Sequence, residues 1–214
     1  MEVFDEAYEE VKKDYPFLTV GFIFFGLKMF EPEVNEKHLT MVLEQQWDKT
    51  VGIDFVQQED PWGCIKKYDQ VADKVLGKFP NQEIRKVYHA GETRDHTNTN
   101  IQTSLKAGTA RIGHGINILQ HPEILLECQQ KKICFEKSPC SNLVLGYSKD
   151  PRLGTAPLLL GLGIPVTINP DDPAKFGYED NTMDYFVTLI SSNWTLKHLK
   201  LIAIHSINHS ICSE

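Results

Sequence analysis

Polar residues whose chemistry suits a metal or acid–base site follow successive predicted strands of this chain. His89 precedes Glu92 by three residues, and His114 lies between two glycines. Asp171 and Asp172 follow a later strand as an adjacent pair. Imidazole and carboxylate groups are the ligands with which a catalytic zinc ion activates water near neutral pH. Because the carboxyl ends of parallel strands meet at one end of an α/β fold, we expect these five side chains to lie together.

Each of these features also has a purely structural explanation. A lone histidine at a strand end commonly makes a structural hydrogen bond, and Asp-Asp-Pro commonly begins a helix. The cytidine-deaminase pattern is not met, because Glu92 is the third residue after His89 and no cysteine stands three residues after Cys140. The coincidence of several such features at strand ends nevertheless favours a metal or acid–base site. The remaining histidines, including the pair His205 and His209, are expected to pack or to face solvent.

An alternation of apolar runs and helical stretches predicts consecutive βα units. Several runs are nearly continuous Val, Ile and Phe, as in parallel strands buried on both faces. A (β/α)8 barrel spends about 30 residues on each unit, and the predicted strands recur at about that spacing. Six strands do not close an eight-strand barrel, so the pattern leaves open a doubly wound sheet or a barrel lacking about two units. The predicted strands are 18–27, 50–56, 84–89, 110–113, 133–136 and 164–168, and the predicted helices are 1–14, 34–49, 65–78, 101–107, 122–131, 157–162, 181–191 and 195–210.

Composition and charge restrict the partners of the chain. The 214 residues are 41% hydrophobic and 24% charged, with a net charge of −7 and no basic cluster, so we expect no nucleic-acid binding. No apolar run approaches the roughly 20 residues that span a membrane, and residues 1–14 are acidic, unlike a secretory signal. Asn193 and Asn208 begin glycosylation-type sequons. The five cysteines are too few for a disulfide scaffold.

The polar motifs and their order resemble those of the adenosine deaminase family. Further motifs resemble one branch of it, the adenosine deaminase-related growth factors, which are secreted extracellular deaminases. The resemblance extends from about residue 20 to residue 210. The family motifs are His89–Glu92, Arg111–Gly115, Ser141–Asn142 and Asp171–Pro173, and the branch motifs are Gly52–Val56, Glu59–Asp60, Thr93, Asp172–Gly177 and Asn208–Ser210.

The resemblance implies a metal-dependent hydrolase on a (β/α)8 barrel. Its reaction would convert adenosine or 2′-deoxyadenosine to inosine and ammonia with one zinc ion per chain. By this resemblance His89 and Asp171 are zinc ligands, and Asp171 also helps to hold the attacking water. Glu92 would protonate purine N1, and His114 would take a proton from the water. Asp172 would form a hydrogen bond with purine N7.

The chain departs from the family pattern at two points. The first strand of the family carries a His-x-His pair that supplies two zinc ligands, and no His-x-His occurs here. We therefore expect a partial barrel without its first two βα units, with residues 1–214 as the C-terminal three quarters of the catalytic domain and with impaired activity alone. Gln57 stands where the family usually has a glycine whose N–H binds purine N3. Gly91 is also expected to contact substrate, because glycine has no side chain and allows close approach to the backbone.

Two other functions stay open at this stage. The missing His-x-His pair and Gln57 favour a non-catalytic relative that binds a purine or a receptor. Deamination of AMP or of a modified adenine is the second, and the net acidity and the lack of an evident phosphate-binding Arg/Lys group argue against AMP. The resemblance also implies an extracellular location. A homodimer is expected only for the full-length parent, through an N-terminal segment that this chain lacks.

Overall fold

Six parallel strands form one sheet in the computed structural model of the chain, which describes residues 1–212. All six predicted strands are present, although the first is four residues shorter at its start than the predicted range 18–27. The strands are β1 (Phe22–Leu27), β2 (Thr50–Val56), β3 (Arg85–Ala90), β4 (Arg111–His114), β5 (Cys134–Lys137) and β6 (Val166–Ile168).

The order of the strands decides between the two architectures that the sequence left open. Each strand pairs with the next one along the chain, in the order β1-β2-β3-β4-β5-β6, and every pair is parallel. A doubly wound sheet reverses its strand order at a switch point, and no reversal occurs among the described strands. The sheet is therefore a run of six consecutive barrel strands, so the carboxyl ends of all six lie at the same end of the fold.

The predicted helices are all present, and three short ones were missed. The predicted helix 34–49 ends at Leu43, because Gln46 adopts a left-handed φ of 49° and Trp47 turns back to donate a hydrogen bond to Asp5. The missed helices α3, α7 and α9 follow strand ends and are too short to show helical periodicity. The helices are α1 (Glu2–Asp14), α2 (Pro32–Leu43), α3 (Glu59–Trp62), α4 (Lys66–Leu76), α5 (Asn100–Lys106), α6 (Pro122–Lys131), α7 (Pro139–Val144), α8 (Ala156–Gly161), α9 (Pro173–Phe176), α10 (Thr182–Ser191) and α11 (Leu196–Asn208), with 3-10 turns at Ile116–Gln120 and Pro151–Leu153.

Two apolar clusters hold helices against the sheet. One joins β2 to α2 and α4 around the fully buried Phe55 and Tyr68. The other joins β4, β5 and β6 to α5, α6, α8 and α11, with Ile112, Phe135 and Val166 fully buried. These contacts fix the strands from outside and thereby position the side chains at the strand ends. No helix within residues 1–212 is long and apolar enough to cross a membrane.

Candidate active site

Three side chains that could bind a metal ion converge at the carboxyl ends of the strands. His89 lies in β3, His114 ends β4, and Asp171 follows β6. Each offers one ligand atom, and these three atoms lie within 4.8 Å of one another. The two imidazole rings are 4.9 Å apart between centroids. Residues separated by more than eighty positions in the sequence therefore meet at one point.

His89 is held by a carboxylate from the neighbouring strand. Asp54, in β2, accepts a hydrogen bond from the His89 backbone N–H at 3.0 Å and contacts its Nδ1 at 2.7 Å. Burial opposes the charged imidazole, but the Asp54 carboxylate outweighs it and raises the pKa of His89 to about 9. A Cβ at Gly113 would lie 3.0 Å from His89 Nδ1, so glycine there leaves room for the ring to pack over β4. The Asp54 contact directs Nε2 away from β2, as in histidines that bind metals.

His114 occupies the centre of the group. It is buried, and its backbone adopts the left-handed φ of 61° that is uncommon for residues other than glycine. Its Nε2 lies 3.7 Å from Glu92 Oε1 and 3.8 Å from Asp171 Oδ2, while its Nδ1 has no hydrogen-bond partner among residues 1–212. Burial lowers the pKa of His114 well below the ordinary value. The imidazole is therefore neutral near pH 7 and can accept a proton.

Glu92 is the buried carboxyl group of the site. Its side chain is enclosed beside His114, and burial raises its pKa to about 7. A large fraction of Glu92 therefore carries a proton near neutral pH, unlike an exposed carboxylate. A protonated acid and a neutral base 3.7 Å apart form a pair suited to proton transfer.

The other predicted site residues lie at the margin of this group. Asp171 adopts a left-handed φ of 59°, and the adjacent Asp172 is turned to Lys175, whose Nζ lies 2.9 Å from Asp172 Oδ2. Gln57 is exposed beyond the end of β2 with a φ of 104°. The N–H of Gly91 donates a hydrogen bond to Glu59 Oε2 at 3.0 Å. Asp172 and Gly91 thus adjoin site residues along the chain, Gln57 follows the end of β2, and the contacts of all three with substrate stay predictions.

The donor set fits a small divalent ion. Bonds from zinc to nitrogen or oxygen ligands are about 2.0–2.2 Å, so two ligands of one ion lie up to about 4 Å apart. The three donors, within 4.8 Å, need shifts of about 1 Å or less to meet this limit. The Asp54 contact with Nδ1 leaves His89 Nε2 available as a ligand, and His114 presents its Nε2 3.8 Å from Asp171 Oδ2. Two imidazoles and a carboxylate also form an ordinary ligand set for catalytic zinc.

Four charged residues that support the site had no role assigned from the sequence. Asp54 and Glu59 appeared only within branch motifs, and Lys28 and Lys137 were not singled out. All four are buried, and they contact the strand ends that carry the two histidines. In the sequence, they are marked only by the position of a charged residue at or near the end of an otherwise apolar strand. That signal does not say which backbone group the charge contacts.

The fold and the site define this chain as part of a β/α barrel with a candidate metal site at the carboxyl ends of its strands. The family model described as adenosine deaminase matches residues 1–214. The chain belongs to the adenosine deaminase family. It is 38% identical to Adenosine deaminase 2 of Dictyostelium discoideum over 175 residues, covering 80% of this chain and 32% of that protein. It is 32% identical to an adenosine deaminase of Aedes albopictus over 220 residues, covering 98% of this chain and 40% of that protein.

Solved structures share the fold at lower identity. An adenine deaminase from Arthrobacter aurescens superposes with a TM-score of 0.83 at 20% identity, covering 95% of this chain and 59% of that one. An amidohydrolase from Burkholderia ambifaria, solved with bound Zn, gives 0.79 at 16% identity, covering 96% of this chain and 56% of that one. The chain thus spans about a third to two fifths of the two curated relatives. The name Adenosine deaminase 2, which recurs among the relatives, supports the growth-factor branch.

Proposed function

We propose that this chain supplies most of the catalytic site of a zinc-dependent adenosine deaminase, which hydrolyses adenosine and 2′-deoxyadenosine to inosine and ammonia. Residues 1–214 would be the C-terminal three quarters of its barrel domain. The observation that carries the proposal is the convergence of His89, His114 and Asp171 within 4.8 Å, with Glu92 3.7 Å from His114. The family membership of the chain supports the choice of reaction.

In this proposal His89 and Asp171 hold the zinc ion. A bound zinc ion lowers the pKa of water towards neutrality and so supplies a nucleophile at physiological pH. Asp54 keeps His89 in the tautomer and orientation that leave Nε2 free, as carboxylates beside metal-bound histidines do. Asp171 has a left-handed backbone, and its carboxylate lies within 4.8 Å of the donor atoms of both imidazoles.

Two proton transfers are assigned to buried groups of this chain. Glu92 donates a proton to purine N1, which makes C6 electrophilic. His114 accepts a proton from the water that attacks C6 and orients that water. The C6–N6 bond then breaks, and the amino group leaves as ammonia after protonation, so that adenosine and water yield inosine and ammonia. Burial favours the protonated acid and the neutral base that these two steps need.

Residues at the margin of the site position the purine in this proposal. Asp172 leaves its exposed ion pair with Lys175 and forms a hydrogen bond with purine N7, which carries no hydrogen in adenosine and is therefore the acceptor. The backbone N–H of Gln57 contacts purine N3. Gly91 lies between His89 and Glu92 and permits close approach of the substrate to the backbone.

The test is turnover of adenosine by the zinc-loaded full-length parent protein, followed by the change in ultraviolet absorbance as inosine forms. We expect Glu92→Gln to lower kcat by about 10²–10⁴-fold, the usual contribution of a general acid or base. Glu83→Gln is the matched control, because Glu83 is exposed and remote from the site. Equal rates for Glu92→Gln and the unaltered protein would refute the assigned proton donor.

A non-catalytic relative gives a different result in the same experiment. The absence of a His-x-His pair from this chain favours that alternative. Protein without bound zinc or turnover, but with saturable adenosine binding in calorimetry, would establish it. Turnover accompanied by about one zinc ion per chain would exclude it.

Location and assembly complete the proposal. The relatives named Adenosine deaminase 2 support an extracellular, secreted parent protein of the growth-factor-related branch. The exposed Asn193 and Asn208 could carry glycans in that location. The proposed small-molecule partner is adenosine or 2′-deoxyadenosine, and a homodimer is proposed only for the full-length parent.

A further inference from the structure

A fully buried ion pair lies directly behind the candidate active site. Lys28 follows the end of β1, and Glu59 begins α3, after the end of β2. Lys28 Nζ lies 3.0 Å from Glu59 Oε1, and neither side chain has any exposed surface. The pair is separate from the His89, His114 and Asp171 group. Its charges must therefore act through whatever polar groups they contact inside the protein.

Those contacts are the backbone of the segment that carries the site residues. Lys28 Nζ donates a hydrogen bond to the His89 carbonyl at 2.8 Å, and Glu59 Oε2 accepts one from the Gly91 N–H at 3.0 Å. The pair therefore forms hydrogen bonds with the backbone on both sides of residue 90. Asn98 Nδ2 also donates to Glu59 Oε2 at 3.0 Å, and so fixes the carboxylate.

The backbone of residues 89–92, which includes these hydrogen-bonded groups, makes a turn that the proposed chemistry needs. Gly91 adopts a left-handed φ of 72°, and a Cβ there would meet Asn117 Oδ1 at 2.5 Å. This turn separates His89, whose ring enters the metal-ligand group, from Glu92, whose carboxyl lies beside His114. Rotation about the backbone of the turn would move one of these side chains relative to the other.

Stability alone is a poor explanation for such a pair. Removing two charges from water costs so much that well-packed apolar residues are often as stable as a buried ion pair or more stable than it. The hydrogen bonds to the turn, in contrast, have a direction that apolar residues cannot reproduce. The Lys28 backbone is itself fixed, since Tyr68 donates its hydroxyl hydrogen bond to the Lys28 carbonyl and Lys28 N–H donates to the Val56 carbonyl.

We propose that the Lys28–Glu59 ion pair is a positioning device that fixes the turn between His89 and Glu92, so that both side chains face one substrate. This proposal rests on the proposed deaminase function for its catalytic consequence. Lys28 and Glu59 are positioning residues, since neither belongs to the group that would contact metal or substrate.

The test replaces the whole pair, because removing one partner would leave a buried unpaired charge and could prevent folding. The variant is Lys28→Met with Glu59→Leu in the same chain. The matched control makes the same substitutions at an exposed pair in α6, Lys131→Met with Glu127→Leu. Thermal unfolding shows that both double variants are folded before any other measurement is interpreted.

Two measurements follow on the folded proteins. Hydrogen–deuterium exchange of the peptide covering residues 89–92 reports on the turn without any need for turnover. We expect exchange there to become at least about tenfold faster in the Lys28/Glu59 variant, because the Gly91 N–H loses its acceptor. Steady-state kinetics with adenosine should show kcat lower by about 10²-fold, the usual effect of misplacing reacting groups by about 1 Å, with KM changed by less than about threefold.

The outcomes separate this proposal from the proposed function. Faster exchange together with the loss of kcat supports the positioning role, and an unchanged kcat overturns it. Equally fast exchange and an equally low kcat in the exposed control variant would also overturn it, because the effect would not be specific to the buried pair. If the unsubstituted full-length parent protein has no turnover, the proposed function fails. The exchange result then decides whether the pair holds the turn, and unchanged exchange overturns the proposal.

Discussion

Gln57 offers a direct test of how backbone strain and substrate access are combined at the end of β2. Its φ of 104° lies in a region that residues with a Cβ rarely adopt. Backbone strain of this kind costs about 1–3 kcal/mol. Replacement by glycine removes that strain, but it also gives the unfolded chain more freedom, which costs about 0.5–1 kcal/mol. We therefore expect Gln57→Gly to raise the free energy of unfolding by about 1 kcal/mol.

The size of the effect is measurable in a thermal or denaturant unfolding experiment. For a chain of this length, about 1 kcal/mol corresponds to a rise in Tm of about 2–4 °C. Gln57→Ala is the matched control, because it removes the same side chain beyond Cβ and keeps the strained backbone. The alanine variant should therefore show little change in stability, since Gln57 is exposed. Equal stability of the glycine and alanine variants would refute the strain argument.

The same two variants distinguish strain from obstruction of the substrate. If the Gln57 side chain intrudes on the purine, both variants should lower KM for adenosine by a similar factor. A lower KM for glycine alone would mean that backbone geometry, rather than side-chain volume, limits binding. An unchanged KM in both variants would contradict obstruction of the purine by the Gln57 side chain.

Three further predictions concern the supporting residues and the sequons. Asp54→Asn should weaken metal binding about 10–100-fold, because the carboxylate that orients His89 is lost. Competition with a chelator measures the metal affinity. Burial lowers the pKa of Lys137 from 10.5 to about 7. Between these two pH values the unfolded chain binds more protons than the folded chain. The free energy of unfolding should therefore rise with pH across this window, by up to about 1.4 kcal/mol per pH unit. Lys137→Met should remove this slope in denaturant titrations at pH 7.5 and 9. Protein secreted from eukaryotic cells should carry glycans at Asn193 and Asn208, since both are exposed, and glycosidase treatment should lower its apparent mass.

Each of these three has a result that contradicts it. Unaltered metal affinity in Asp54→Asn, with Asp48→Asn as the exposed control, would show that the carboxylate does not tune His89. The same pH slope with and without Lys137 would assign the slope to other groups. An unchanged mass after glycosidase treatment, or after Asn193→Gln combined with Asn208→Gln, would argue against use of the sequons.

The strands and the positions of the main site residues could be predicted because they depend on local patterns. Continuous apolar runs such as 50–56 require burial on both faces wherever the chain takes them. His89 and His114 stand at the ends of such runs, and parallel strands bring their carboxyl ends together. Helix ends were less predictable, since helix α2 ends before Trp47 through an interaction with Asp5, 42 positions earlier.

The supporting charges could not be predicted because their roles depend on burial and on distant partners. Lys28 and Glu59 are separated by 31 positions, and Lys28 reaches the His89 carbonyl 61 positions away. Lysine and glutamate usually lie at the protein surface and are rarely buried unless they are paired. Only the folded chain excludes water from them and thereby turns two charges into directional contacts.

The sequence by itself determined the βα repeat, the residue types of the site and their places at strand ends, because apolar periodicity and motif order are properties of the chain alone. Tertiary structure decided that the strands follow one another without reversal and that donors from β3, β4 and the segment after β6 meet within 4.8 Å. It also decided that Glu92 is buried, which raises its pKa to about 7. The physical reason is that distances between donors and the removal of water arise only when separate segments pack against one another.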